Sequence, residues 1–266
     1  MHAGERTKLG ADIRRTVIDQ SYRANVGHIG SALSISDLMA AVLGEASLDA
    51  DADRDRVVLS KGHAALALYA GLHHLGRMEP GAIDTYCGDG SLLGVHPEHG
   101  LDGVDFCTGS LGQGLSVGAG AALAAKRQGS DRRVFVIMSD AELNEGSVWE
   151  ATMFAAQHGL DNLTLLVDLN GQQALGYTPE ILDLGSVEDK LAEFGWDAAV
   201  VPGHDQEALA AALVRPTGGR PRALVASTTF GYGVSFMESK IEWHYLPLNE
   251  ETYPQALADL EARAPA

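Results

Sequence analysis

Residues 134–173 read VFVIMSDAELNEGSVWEATMFAAQHGLDNLTLLVDLNGQQ, and the spacing of apolar side chains changes character several times along them. VFVIM at 134–138 is an unbroken apolar run, as a strand covered on both faces requires. SDAELNEG at 139–146 is a polar turn, residues 148–158 carry helical spacing, and residues 163–169 return to a second buried strand. Strand, crossover helix and strand form the β-α-β unit of a parallel sheet. In such a sheet ligands gather beyond the carboxyl ends of the strands, and Asp140 and Asn170 stand just past two consecutive ends. A carboxylate and an amide oxygen are hard ligands suited to Mg²⁺, with the backbone carbonyl of Gln172 as the natural third. On spacing alone the same two residues read equally as a helix cap and a turn residue.

Working outward, the opening segment reads as a helix, as do residues 35–44, with Ser34 or Ser36 as candidate caps. RVVLS at 56–60 is a buried strand followed by a helix over 63–75. Residues 84–105 are rich in Gly, Asp, Pro and His and follow neither period, which marks a long loop of the kind that serves function. TGSLGQGLSVGAGAALAA at 108–125 leads into a helix of very small residues, which lets backbone approach a ligand or another helix closely. Downstream, 195–201 and 222–227 supply strands around a helix over 206–214. The expected fold is α/β, a parallel sheet flanked by helices, in a single domain over 1–266 whose last fifteen residues pack elsewhere.

At 45% hydrophobic residues the chain can bury a substantial core. A formal net charge of -17 excludes nucleic acid held by phosphate neutralisation and a polybasic membrane contact, so any bound anion must be neutralised locally. Cys87 and Cys107 are too few for a disulfide framework. With no apolar signal core and no run of spanning length, the expected location is the cytoplasm.

The stretch at 139–173 resembles the thiamine-diphosphate motif of the transketolase family, which begins Gly-Asp-Gly and ends in Asn about thirty residues on. The resemblance implies Mg²⁺ on Asp140, Asn170 and the Gln172 carbonyl, with Ala141 and Asn170 at the diphosphate; Ser139 and Ala141 replace the two glycines. GSLGQG at 109–114 resembles the family's Gly-Pro-Leu-Gly-Gln-Gly, which implies aminopyrimidine contacts from Gly109 and Leu111. NVGHIG, LSKGH, GVHPEHG and the segment ending EWH resemble the family's histidine motifs, giving His28, His63, His96 and His244. His63 is implied for the diphosphate, and His28, His96 and His244 for substrate hydroxyls and proton transfer. Glu145 and Glu150 match carboxylates that link two cofactor sites across a subunit interface. Phe230 and Tyr232 occupy a stretch where the family commonly has lysine. The remaining histidines, His204 among them, read as structural or solvated.

The resemblance covers about residues 8–250 and implies a transferase moving a two-carbon ketol unit from a ketose donor to an acceptor, an aldose or a carrier protein. It also implies a separate partner subunit bearing the pyrimidine-binding domain, in an α₂β₂ assembly, because no motif here addresses the ring nitrogen of the aminopyrimidine. Two other readings use the same residues: an alpha-type subunit of another thiamine-diphosphate enzyme, 2-oxo-acid dehydrogenase-like or delivering an acyl unit to a lipoyl or carrier thiol, and a non-catalytic binding subunit.

Overall fold

The computed structural model describes residues 1–49 and 53–263. In chain order these form α1 (Ala3–Ala24), α2 (Ile29–Ser34), α3 (Ser36–Glu45), β1 (Arg56–Leu59), α4 (Ala65–His74), α5 (Gly114–Gln128), β2 (Val134–Ser139), α6 (Gly146–Gln157) and β3 (Leu163–Leu169). A small hairpin follows, β4 (Gln172–Gln173) and β5 (Gly176–Tyr177), then α7 (Thr178–Leu182), α8 (Val187–Glu193), β6 (Asp197–Pro202), α9 (Gln206–Val214), β7 (Arg222–Ser227) and α10 (Thr252–Ala262).

The main sheet is all parallel in the order β1-β2-β3-β7-β6. Its central strands β2 and β3 are mostly apolar because alternate side chains enter two separate cores. Phe135 and Ile137 of β2 and Leu166 of β3 pack beneath α1, α3, α4 and α9. Val134, Val136 and Met138, with Leu163, Leu165 and Val167, pack beneath α5, α6 and α8. Helices on both faces are what an all-parallel sheet needs.

The small residues of α5 let it lie directly on the sheet: a Cβ at Gly118 would fall 2.4 Å from Val136 Cγ2. Two expectations are corrected. Neither Ser34 nor Ser36 caps α3; Ile35 holds the cap position without a side-chain bond, Ser36 Oγ donates to the Ala32 carbonyl, and Ser34 is drawn to Asp168. The chain end does not pack elsewhere, since α10 lies on α1 with the Tyr22 and Tyr253 rings stacked at 4.1 Å.

Candidate active site

Because the strands are parallel, the residues that follow them meet at one edge of the sheet: Ser60 and Lys61 after β1, Asp140 after β2, Asn170 after β3 and Thr228 after β7. Asp168, one residue before the end of β3, is the anchor of this edge. Its carboxylate is 0% exposed, accepting on Oδ2 from Lys61 Nζ (2.5 Å) and Asn170 Nδ2 (2.8 Å), and on Oδ1 from Ser34 Oγ (2.6 Å) and Thr228 Oγ1 (2.5 Å). Burial pushes this carboxyl up, but the Lys61 ammonium and the hydroxyl donors outweigh it and hold the group below the usual carboxylate value.

Asp140 is nearly as buried, and lacks a direct cation. Its Oδ2 accepts from the Gly171 N–H (2.8 Å) and Thr178 Oγ1 (3.1 Å), while Oδ1 accepts only from the adjacent Ala141 N–H (2.9 Å). Burial, then the Asp168 charge, push its acid up to about 6. Asn170 Oδ1 accepts from the Gln172 N–H (2.9 Å). The Asp140 and Asn170 oxygens thus rest on consecutive amides of one turn, and share a strand-end position as the sequence spacing implies.

The four matched histidines line a single cavity of about 190 Å³, together with Lys61 and Asn170. The His28, His63 and His244 rings lie 5.2–5.4 Å apart. All three are shifted toward the neutral form. Burial first, and then neighbouring positive or imidazole groups, lower His28, lower His63 well below 6.5 and lower His244 to about 4. A neutral imidazole can both donate and accept, the property needed to handle hydroxyl protons. His28 adopts a left-handed backbone (φ 62°) ahead of α2, and its N–H donates to the His244 carbonyl (3.2 Å), which ties the two distant segments together.

Gly109, Leu111, Ala141 and Gln172 line the same cavity. Gly109 has φ +147°, and a Cβ there would stand 3.0 Å from His96 Cδ2, so a glycine is needed beside that ring. The ordinary φ of Ser139 and Ala141 explains why neither position requires glycine. Asp140 faces a second cavity of about 100 Å³ with Gly171, Thr178 and Asp183. Glu145 and Glu150 stand exposed outside both. Phe230 is buried, with Gly30 against its ring and His244 nearly parallel to it at 6.1 Å. Tyr232 belongs elsewhere: it stacks on His204 at 3.6 Å, and His204 bonds Asp37, a structural role for that histidine.

Sequence reading missed Ser31, Lys61, Asp168 and Glu142. The signal for Asp168 was present as one charge inside the apolar run LTLLVDL. Glu142, 0% exposed, accepts from Ser60 Oγ, from the Gly112 N–H (3.0 Å) and from the Ser139 N–H (2.8 Å), joining the glycine loop to two strand ends.

The chemistry of this lining fits a polar ligand. His28 Nδ1, Gln172 Oε1 and Gln173 Nε2 are buried without a hydrogen-bond partner, and Lys61 is the one ammonium or guanidinium among the described residues of the lining. One carboxylate, one amide and a carbonyl leave a divalent ion positions for phosphate oxygens and water. Fold and site together define an α/β domain with a polar, partly buried site at its strand ends.

Comparison with known proteins narrows the class. The profile of the family described as "Transketolase, thiamine diphosphate binding domain" matches residues 6–260. The chain is 36% identical over 257 residues to one of the subunits of the apulose-4-phosphate transketolase of Phocaeicola vulgatus, covering 94% of this chain and 92% of the relative. It is 37% identical to a 6-deoxy-6-sulfo-D-fructose transketolase subunit of a Clostridium species, covering 94% of each. Among solved structures it superimposes on transketolase from Campylobacter jejuni with a TM-score of 0.88 at 28% identity, and on that from Leishmania mexicana with 0.86 at 30%. It covers 97% and 96% of its own length there, but spans only 43% and 41% of those chains. The chain belongs to the transketolase family, as its thiamine diphosphate-binding domain.

Proposed function

We propose that this chain is the diphosphate-binding subunit of a split, thiamine-diphosphate-dependent transferase that takes a two-carbon ketol unit from a ketose and passes it to an acceptor. The observation that carries the reading is the group of neutral imidazoles packed 5.2–5.4 Å apart in the cavity that also holds Asn170 and Gln172. Bound thiamine diphosphate supplies the carbon nucleophile and the electron sink.

The chain's own residues divide the remaining work. Asp140, Asn170 and the Gln172 carbonyl hold Mg²⁺, with Oδ1 of Asp140 the less committed of its two oxygens. His63 and the Ala141 and Asn170 backbone region face the diphosphate, and Gly109 and Leu111 support the aminopyrimidine. His28, His96 and His244 bind sugar hydroxyls and move protons between them. The imidazoles favour a hydroxyl-rich ketose over a simple 2-oxo acid, and their joint retention with Asp140 speaks against a non-catalytic subunit.

The relatives named as subunits support a partner chain, which on this reading brings the pyrimidine-binding domain in an α₂β₂ assembly covering Glu145 and Glu150. The acceptor is an aldose or a carrier protein, and the site of action is the cytoplasm; no helix of the described residues is long and apolar enough to cross a membrane. The test is to assay ketol transfer, and mass by light scattering, with and without the candidate partner. Activity is expected only from the mixture; full turnover by the isolated 28.0 kDa chain would sink the split-enzyme reading.

A further inference from the structure

An asparagine side chain can offer a cation its oxygen or turn two N–H donors toward it, and nothing in its shape decides between them. At Asn170 the surroundings decide. Nδ2 donates to Asp168 Oδ2 (2.8 Å), so the oxygen is turned away, onto the Gln172 N–H (2.9 Å). Rotating the amide by half a turn would set Oδ1 against a completely buried carboxylate, two acceptors with no proton between them.

Asp168 itself cannot yield, because four elements hold it: Lys61 from the end of β1, Ser34 from α2, Thr228 from the end of β7 and Asn170 beyond β3. Lys61 is 1% exposed and meets Asp168 at 2.5 Å. A pair buried this deeply gains little net stability over an apolar pair of similar volume, so stability alone does not account for it. We propose that Asp168 is a positioning residue, locked by Lys61, Ser34 and Thr228, that fixes the amide of Asn170 with its oxygen toward the Asp140 side and so sets the metal affinity of the site. This rests on the reading of Asn170 as a metal ligand.

The test is a double-mutant cycle in the complex with its partner subunit, reading by calorimetry the Mg²⁺ concentration that half-saturates thiamine diphosphate binding. Asp168→Asn raises that concentration by about 10–100-fold, the usual effect of losing a group that orients a ligand. In an Asn170→Ala background the same change adds little, because there is no amide left to orient. An equal effect in both backgrounds would mean that Asp168 serves only the fold, and would overturn the proposal while leaving the metal reading intact. No effect of Asn170→Ala alone would remove the metal reading and the proposal with it. Should Asp168→Asn not fold, selective ¹⁵N labelling of asparagine in the native complex reads the amide directly. The side-chain N–H bonded to Asp168 should exchange with solvent far more slowly than that of exposed Asn249, with and without Mg²⁺. Exchange as fast as at Asn249 would refute the proposal.

Discussion

The strand-end side of the site and its imidazole side are built by different physics. Asp140, Asp168 and Asn170 sit on or just beyond neighbouring strands whose register is fixed by the ladder, Ser139 opposite Asp168 and Asp168 opposite Ala226. Their positions follow from backbone hydrogen bonding and close packing of the sheet, and their charges are settled by buried partners. The histidines come from a left-handed residue ahead of α2, a 3₁₀ turn after β1, the long loop before α5 and a 3₁₀ turn at Ile241–His244. Among the described residues the main sheet's ladder does not hold these segments; a backbone bond from His28 to His244, the packing of Phe230 on Gly30 and, at His96, the Tyr69 hydroxyl donating to its carbonyl (2.9 Å) do. On the proposed function the strand-end side, which would grip the cofactor, is rigid scaffold, and the histidine side, which would meet substrate, is carried on turns, where specificity can change without disturbing the sheet.

The largest break in this comparison comes from Asp140→Ala. It removes the one charged ligand of the proposed metal site, and Mg²⁺-dependent cofactor binding should disappear in a calorimetric titration while the apoprotein stays folded. Asn170→Ala removes a neutral ligand and should weaken the same binding less. The opposite pattern comes from His28→Ala or His244→Ala: turnover falls by about 10²–10⁴-fold with cofactor affinity little changed. A histidine variant that loses the cofactor but turns over normally at saturation would place that ring in the wrong half.

Acid separates the halves more gently. The Asp140 carboxyl, raised to about 6, carries a proton below that pH, so Mg²⁺ affinity should fall as pH drops through about 6, with protons released on binding. For the apoprotein the sign is opposite to that of an ion-paired carboxylate: the ionised form is the costly one, and this group's stabilisation is lost as pH rises from 3.8 to about 6. The lowered pKa of His244 makes its neutral form the favoured one, so its contribution is present above 6.5 and lost as pH falls toward about 4. An NMR titration should put the His244 midpoint near 4; a midpoint near 6.5 would show the ring to be solvated. The smallest effect expected is on stability alone. Gly30→Ala would set a Cβ 2.1 Å from Phe230 Cε1, and should cost about 1–3 kcal/mol in denaturant unfolding as the ring beside His244 shifts.

Pattern along the chain was enough to specify the parallel sheet, since LTLLVDL and VFVIM are apolar without alternation and only a strand covered on both faces needs that. It also specified which residues follow the strands, because a β-α-β unit brings consecutive strand ends to one edge, and so Asp140 and Asn170 could be paired before any coordinates. The four histidines were legible through the motifs around them, since nothing in their spacing along the chain unites residues 28, 63, 96 and 244. Hidden from the sequence were the partners that set each group's charge and orientation. Lys61 and Asp168 are 107 residues apart, and Ser34 and Asp168 are 134 apart. Local pattern carries no information about which strands of separate units become neighbours, and it offered Ser34 only as a candidate cap. Tertiary packing alone brings a hydroxyl of α2, an ammonium after β1 and a hydroxyl after β7 onto one buried carboxylate, because desolvation makes that carboxylate demand donors from every element within reach.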